Sequence, residues 1–125
     1  MQIKMVAFEP MNEIHINEVK LLEDLLKSIN KNENVKEKFE NFFEDVKNHF
    51  AFEEEQMKKY NFFAYVPHKM EHDKIINQLN EVSKHLDDTL YLKKYFNETF
   101  TTWLINHIET IDTVTAGFLN MVTKQ

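Results

Sequence analysis

One glycine and two prolines in 125 residues constrain this chain more than any other feature of its sequence. Tight hairpins need residues that tolerate positive φ or pre-set a turn, and a sheet protein needs one such turn every eight to twelve residues. A chain this poor in turn residues is expected to fold as a few long helices. The apolar spacing agrees. A first segment runs from about Pro10 to Ile29, with Met11, Val19, Leu22, Leu26 and Ile29 on one side. The polar stretch Asn30 to Asn34 breaks it. A second segment runs from about Val35 to Tyr60, and residues 61 to 66 interrupt the pattern. Pro67 opens a third segment carrying Ile75, Ile76, Leu79, Val82 and Leu86. After a break at Asp87 to Thr89, a fourth runs from about Leu92 to Val122. Short connections force sequential helices antiparallel, so the expected fold is all-α, an up-down-up-down four-helix bundle in a single domain spanning 1–125, with residues 1–9 as an N-terminal arm.

Composition removes several function classes. The formal net charge is −6, whereas phosphate backbones are bound by basic patches, so no nucleic-acid partner is expected. No run of 18 apolar residues exists, so no membrane span is expected. MQIKMVAFEP lacks a basic-then-apolar leader pattern, which makes a cytoplasmic protein the expectation. The absence of cysteine excludes disulfides, thiolate zinc sites and cysteine-ligated clusters.

The inner faces carry residues that an apolar core has no use for. His49 and Glu53 sit four apart in HFAFEEEQM, among Phe39, Phe42, Phe43, Val46, Phe50 and Met57. His68 and His72 stack one turn apart on the face that Ile75, Ile76 and Leu79 continue. His15 shares an edge with Val19, Leu22 and Leu26, and His107 lies in line with Trp103, Leu104 and Ile111. Asp112 follows His107 by five residues, which subtend about 140° on a regular α-helix. The two would flank the inner seam from opposite sides unless a local bulge realigned them. His85, thirteen residues after His72, is turned away and is expected in solvent with no role.

Each motif alone is commonplace, because i,i+4 polar pairs occur on many helix surfaces and one inward histidine usually has a hydrogen-bonded partner. Their coincidence is not. Buried carboxylates are paired, neutralised or bound to metal. Imidazole and carboxylate together suit iron, zinc or manganese, and this donor set exceeds one tetrahedral zinc. It suits two octahedral metals bridged by Glu53 and Asp112.

Taken together, HFAFEEEQM, PHKMEH and WLINHIETID, with His15 ahead of them, resemble the hemerythrins, specifically the bacterial hemerythrin-like proteins, over roughly residues 10 to 122. The resemblance implies a non-haem di-iron centre with an oxo or hydroxo bridge and with Glu53 and Asp112 bridging. It implies His68, His72 and His107 on one iron, and His15 and His49 on the other. The coordination position left open there takes dioxygen in the family, for storage, delivery or sensing, against a wall formed by Phe50, Trp103, Leu104 and Ile108. Two departures stand out. The arm has neither the tryptophan nor the longer lead-in usual in the family, and Glu18 stands where a bulky apolar residue normally faces the dioxygen site. On about 100° per residue Glu18 falls inside the apolar arc of its helix. It is therefore expected to point at the vacant position, as an extra ligand or as a proton donor. That makes a di-iron oxidase or peroxidase the alternative to a carrier; a metal-binding module without oxygen chemistry is a further reading.

Overall fold

The computed structural model describes residues 1–124, and within them four helical rods follow one another in antiparallel order. The first rod, α1, spans Glu9–Lys31; α2 spans Val35–Lys59 and α3 spans Tyr65–Val82. The fourth, α4, runs unbroken through residues 89–123 but changes pitch along its length. Two π-helical segments, Tyr95–Phe100 and Ile108–Asp112, are set between α-helical ones. The N-terminal arm is one residue shorter than the sequence pattern suggested, because Glu9 is already helical. Pro10 occupies the first turn of α1, where its missing N–H is no loss. Likewise α3 begins at Tyr65 rather than at Pro67, which sits within the first turn.

The connections explain how the chain manages with one glycine. Among the described residues the three with left-handed backbone are all asparagines: Asn32 (φ 53°), Asn34 (φ 54°) and Asn61 (φ 54°). Asparagine tolerates this conformation better than other residues with a Cβ. Asn32 ends α1, and the N–H of Glu33 then reaches back to the Ser28 carbonyl at 3.0 Å, satisfying a helix-end acceptor. Asp88 caps α4 through its side chain, which accepts the Tyr91 N–H at 3.1 Å.

The interior is layered along the bundle axis. One end is aromatic and dry. Phe39, Phe42, Phe96 and Phe100 are fully buried there, with Phe42 edge-on to Phe96 (centroids 5.8 Å apart) and to Phe100 (5.2 Å). The other end holds a smaller apolar cluster of Met11, Ala116 and Leu119, with Phe8, Tyr60 and Phe118 against it. Between them lies a layer of histidines and carboxylates. The arm is tied to the small cluster by Asn12, whose amide accepts from the Val6 N–H at 2.7 Å and donates to the Val6 carbonyl at 2.9 Å. Among the described residues no helix is long and apolar enough to cross a membrane.

Phe42 is fully enclosed and packs edge-on against Phe96 and Phe100, so Phe42→Ala leaves a cavity that its aromatic neighbours cannot close. The expected loss is about 3–5 kcal/mol of unfolding free energy, read from denaturant melts of the metal-free protein.

Candidate metal centre

The middle layer is assembled from all four rods. His15 comes from α1; His49 and Glu53 from α2; His68 and His72 from α3; His107 and Asp112 from α4. All seven side chains are buried, none more than 3% exposed.

The five-residue step from His107 to Asp112 is made by the second π segment. In a π turn the backbone bond runs from i to i+5, so residue i+5 lies nearly above residue i. The widening of Ile108–Asp112 thus brings Asp112 Oδ1 to 3.2 Å from His107 Nε2. A threonine stabilises each wide turn. The Thr113 hydroxyl donates to the Ile108 carbonyl at 2.8 Å, and the Thr101 hydroxyl donates to Phe96 at 2.7 Å, each reaching back five residues. In the α-helical end of the rod Thr123 makes the ordinary four-residue contact, to the Leu119 carbonyl at 2.7 Å.

Seen from the two carboxylates, the layer has two sides. Glu53 Oε1 lies 3.2 Å from His68 Nε2 and 3.1 Å from His72 Nε2. Its other oxygen, Oε2, lies 2.5 Å from His49 Nε2 and 3.6 Å from His15 Nε2. Asp112 divides in the same way: Oδ1 is 3.1 Å from His68 and 3.2 Å from His107, whereas Oδ2 is 3.0 Å from His15. Every imidazole turns Nε2 inward. The result is two compact donor groups that share a carboxylate: Glu53, His68, His72 and His107, and His15, His49, Glu53 and Asp112.

Apart from the His49–Glu53 hydrogen bond, these contacts are close without being aligned hydrogen bonds. Nε2 of His15, His68, His72 and His107, Oε1 of Glu53 and both oxygens of Asp112 are buried with no aligned partner. Buried polar atoms are nearly always satisfied, so a whole layer of orphans aimed at common points calls for an ion. The spacing fits one. Two donors about 2.1 Å from a metal and at right angles are about 3.0 Å apart, against about 3.4 Å in a tetrahedron. Most inward N···O separations here are 3.0–3.2 Å. Nitrogen and oxygen donors without sulfur suit iron, manganese or zinc.

Three of the five outer nitrogens are held too. His68 Nδ1 pairs with the Thr115 hydroxyl at 2.8 Å, His72 Nδ1 with Glu54 Oε2 at 2.9 Å, and His49 Nδ1 with Glu18 Oε2 at 3.1 Å. Glu71 stands 3.7 Å from His107 Nδ1, beyond hydrogen-bond reach, and accepts the Trp103 indole N–H at 3.2 Å instead. Thr115, Glu54 and Glu71 went unnoticed in the sequence. Glu54 hides in a run of three glutamates and Glu71 in PHKMEH, while Thr115 lies 47 residues from the ring it supports.

Glu18 requires a correction. It is buried, as its place on the apolar arc implied, but it belongs to neither donor group and does not point at the expected vacancy. Its carboxylate meets the outer edge of the His49 ring, because three residues past His15 the helix has carried the side chain behind the neighbouring imidazole. Of the four expected wall residues, Phe50, Leu104 and Ile108 are buried and Trp103 is half-buried. Phe50 stacks face to face on His72 with centroids 3.9 Å apart, and Trp103 stacks on His107 at 4.5 Å. His85 lies outside the layer, stacked on Tyr91 and 3.4 Å from Glu81.

Charge in the metal-free layer follows from this crowding. Burial alone would push His15 and His68 down, but the Asp112 and Glu53 carboxylates outweigh it and raise each to about 9. His49 is raised well above the ordinary range against its own desolvation, mainly by the charges of Glu53 and Glu18. Burial would raise Glu53, yet the charge of His49 and the bonds from the surrounding rings hold it well below the usual range. Burial and Glu53 together would raise Asp112, and the close approach of His107, His15 and His68 more than reverses that.

Histidines raised in the folded state contribute stability that is full below about 6.5 and lost as pH climbs through about 9. Depressed carboxylates contribute stability that is full above about 4.5 and lost on acidification. Metal-free protein should therefore melt at its highest temperature between about pH 4.5 and 6.5 and progressively lower toward pH 10, in a calorimetric series. Metal must displace the histidine protons, so loading at pH 7 should release about two to three protons per chain, measured by calorimetry in buffers of different ionisation enthalpy.

Against known proteins, residues 6–119 match the family model of the hemerythrin HHE cation binding domain. The chain is 32% identical over 111 residues to the bacteriohemerythrin of Aquifex aeolicus (strain VF5), covering 85% of each chain. No solved structure matches it.

Proposed function

This chain belongs to the hemerythrin family, and from that premise we propose that its central layer holds two iron ions and binds dioxygen at one of them. The observation that carries the reading is the way each carboxylate is divided, one oxygen toward each group of rings. Glu53 and Asp112 are bridging ligands. His68, His72 and His107 complete the set around one iron, which with the two bridging oxygens makes five protein donors. His15 and His49 serve the other, which has four. The deficit of one donor leaves the His15/His49 iron as the place where a small ligand enters.

Bound iron supplies the electrons that dioxygen takes up. The protein supplies the rest. Five neutral imidazoles hold the metals without adding charge, and two carboxylates offset part of the metal charge. Phe50 against His72 and Trp103 against His107 fix ring planes from outside, and Leu104 and Ile108 add an apolar wall that keeps water away. Storage, delivery and sensing all use this chemistry. The oxidase or peroxidase reading relied on Glu18 at the open position, and the placement of Glu18 behind His49 removes that support. Nothing in the net charge of −6 favours a nucleic-acid partner.

Reconstitution with excess ferrous iron should give about two irons per chain, from the two donor groups. Air should then produce an optical charge-transfer band that fades on deoxygenation and returns. One iron or none per chain would overturn the di-iron reading. A band that never reverses, with steady turnover of peroxide, would replace the carrier by an enzyme. His68→Ala and His107→Ala should shed iron at a higher pH than the parent as the solution is acidified, since protons compete for the remaining imidazoles. Parental iron retention in both variants would remove those rings from the coordination set.

A further inference from the structure

The ring of His49 is gripped on both edges. Glu53 Oε2 lies against Nε2 at 2.5 Å, and Glu18 Oε2 lies 3.1 Å from Nδ1. Glu18 is fully buried, and its second oxygen, Oε1, has no partner. A carboxylate with an orphan oxygen is an expensive occupant of an arc otherwise made of Val19, Leu22 and Leu25; a leucine there would continue the apolar packing at less cost. The geometry shows what the carboxylate does in return. An ionised carboxylate only accepts, so the nitrogen facing it must carry the proton. A neutral imidazole has one N–H. Without metal Glu53 makes the same demand on Nε2; once a metal takes that side, the one remaining proton stays at Nδ1 and the Nε2 lone pair faces the centre.

No other ring of the layer has an equivalent partner. Thr115 behind His68 is a hydroxyl, which can donate or accept and so dictates no tautomer. Glu54 behind His72 is a carboxylate, but its side chain is 21% exposed and its charge is correspondingly screened. Glu71 is out of reach of His107, and Nδ1 of His15 has no partner. On the two-histidine side, therefore, all outer support comes from Glu18.

We propose that Glu18 is the positioning residue of the two-histidine side: it locks His49 in the Nδ1–H tautomer and, as a buried anion, strengthens donation from Nε2 to the metal bound there. This rests on the two-metal reading above. It reassigns the one acid that departs from the family's apolar wall, from the open coordination position to the back of a ligand. Two consequences separate it from a packing role. The metal on the His15/His49 side should depend on Glu18 while the metal on the three-histidine side does not. The added anion should also favour the ferric over the ferrous state.

The test loads the parent, Glu18→Gln and Glu18→Leu with zinc, a redox-silent probe, and follows metal loss to graded chelator. Outer partners of metal-bound histidines are typically worth 10–100-fold in affinity. Glu18→Leu should loosen one of the two zincs by that factor and leave the other at its parental value. Glu18→Gln keeps an acceptor for Nδ1–H and should fall between. Nuclear magnetic resonance of the zinc forms should show a slowly exchanging His49 Nδ1–H in the parent and Glu18→Gln and its loss in Glu18→Leu. In the iron-loaded protein the midpoint potential should rise in Glu18→Gln, which is near-isosteric and so controls for packing. Parental chelator resistance in Glu18→Leu overturns the proposal. So does equal weakening of both zincs in both variants, the signature of a general packing defect. A parent that takes up fewer than two metals fails earlier and differently, because it overturns the two-metal reading itself.

Discussion

Everything in this bundle is arranged around two carboxylates that face both ways. Glu53 and Asp112 lie at the centre of the molecule, fully buried, each with one oxygen toward either set of imidazoles. Two anions in an apolar interior are tolerable only when cations or protonated rings surround them. His15, His49 and His68, raised in pKa, supply that without metal, and the five histidines would supply it as neutral donors around metal ions that the anions would then share. The same residues satisfy the same charges by two different routes, which links folding, protonation and metal uptake into one equilibrium.

The rest of the architecture accommodates this layer. It divides the hydrophobic interior into a large aromatic cluster and a small one built on Met11, Ala116 and Leu119. The aromatic cluster compensates for a centre that contributes little hydrophobic energy. The π segment Ile108–Asp112 accommodates it as well: it gives up regular α-helical bonding to bring Asp112 over His107, and the Thr113 hydroxyl takes up the Ile108 carbonyl. The outer supports follow the same logic. Rings that must present Nε2 inward need something to hold Nδ1, and Thr115, Glu54 and Glu18 do so from three different helices.

Much of this was legible in the residues. The four rods followed from apolar periodicity and scarce turn residues; the first and third start slightly earlier because Pro10 and Pro67 sit inside first turns, the third stops at Val82 short of Leu86, and the fourth starts at Thr89 ahead of Leu92. Four of the seven central residues followed from i,i+4 spacing, which places His49 with Glu53 and His68 with His72 whatever the rods then do; His15 and His107 followed from their places on apolar faces, and Asp112 from the HxxxxD pattern of the resemblance. Glu18 shows where such reasoning stops. The helical wheel correctly placed it on the buried arc, but it cannot tell the front of a neighbouring ring from its back, since that depends on how α1 and α2 are rotated and spaced against each other.

The sequence by itself determined the helices, the inward faces and the chemical type of the centre, because these depend on local periodicity and on the identity of side chains along single helices. Only the tertiary structure decided how the donors are shared. The division of Glu53 and Asp112 between two ring groups, the Thr115–His68 contact across 47 residues and the seat of Glu18 behind His49 arise where separate helices meet. The π turn that aligns Asp112 with His107 is local in the chain but not in cause. The HxxxxD spacing permits either an α or a π path, and packing against the other three rods, with Asp112 drawn to His15 on α1 and His68 on α3, selects the second.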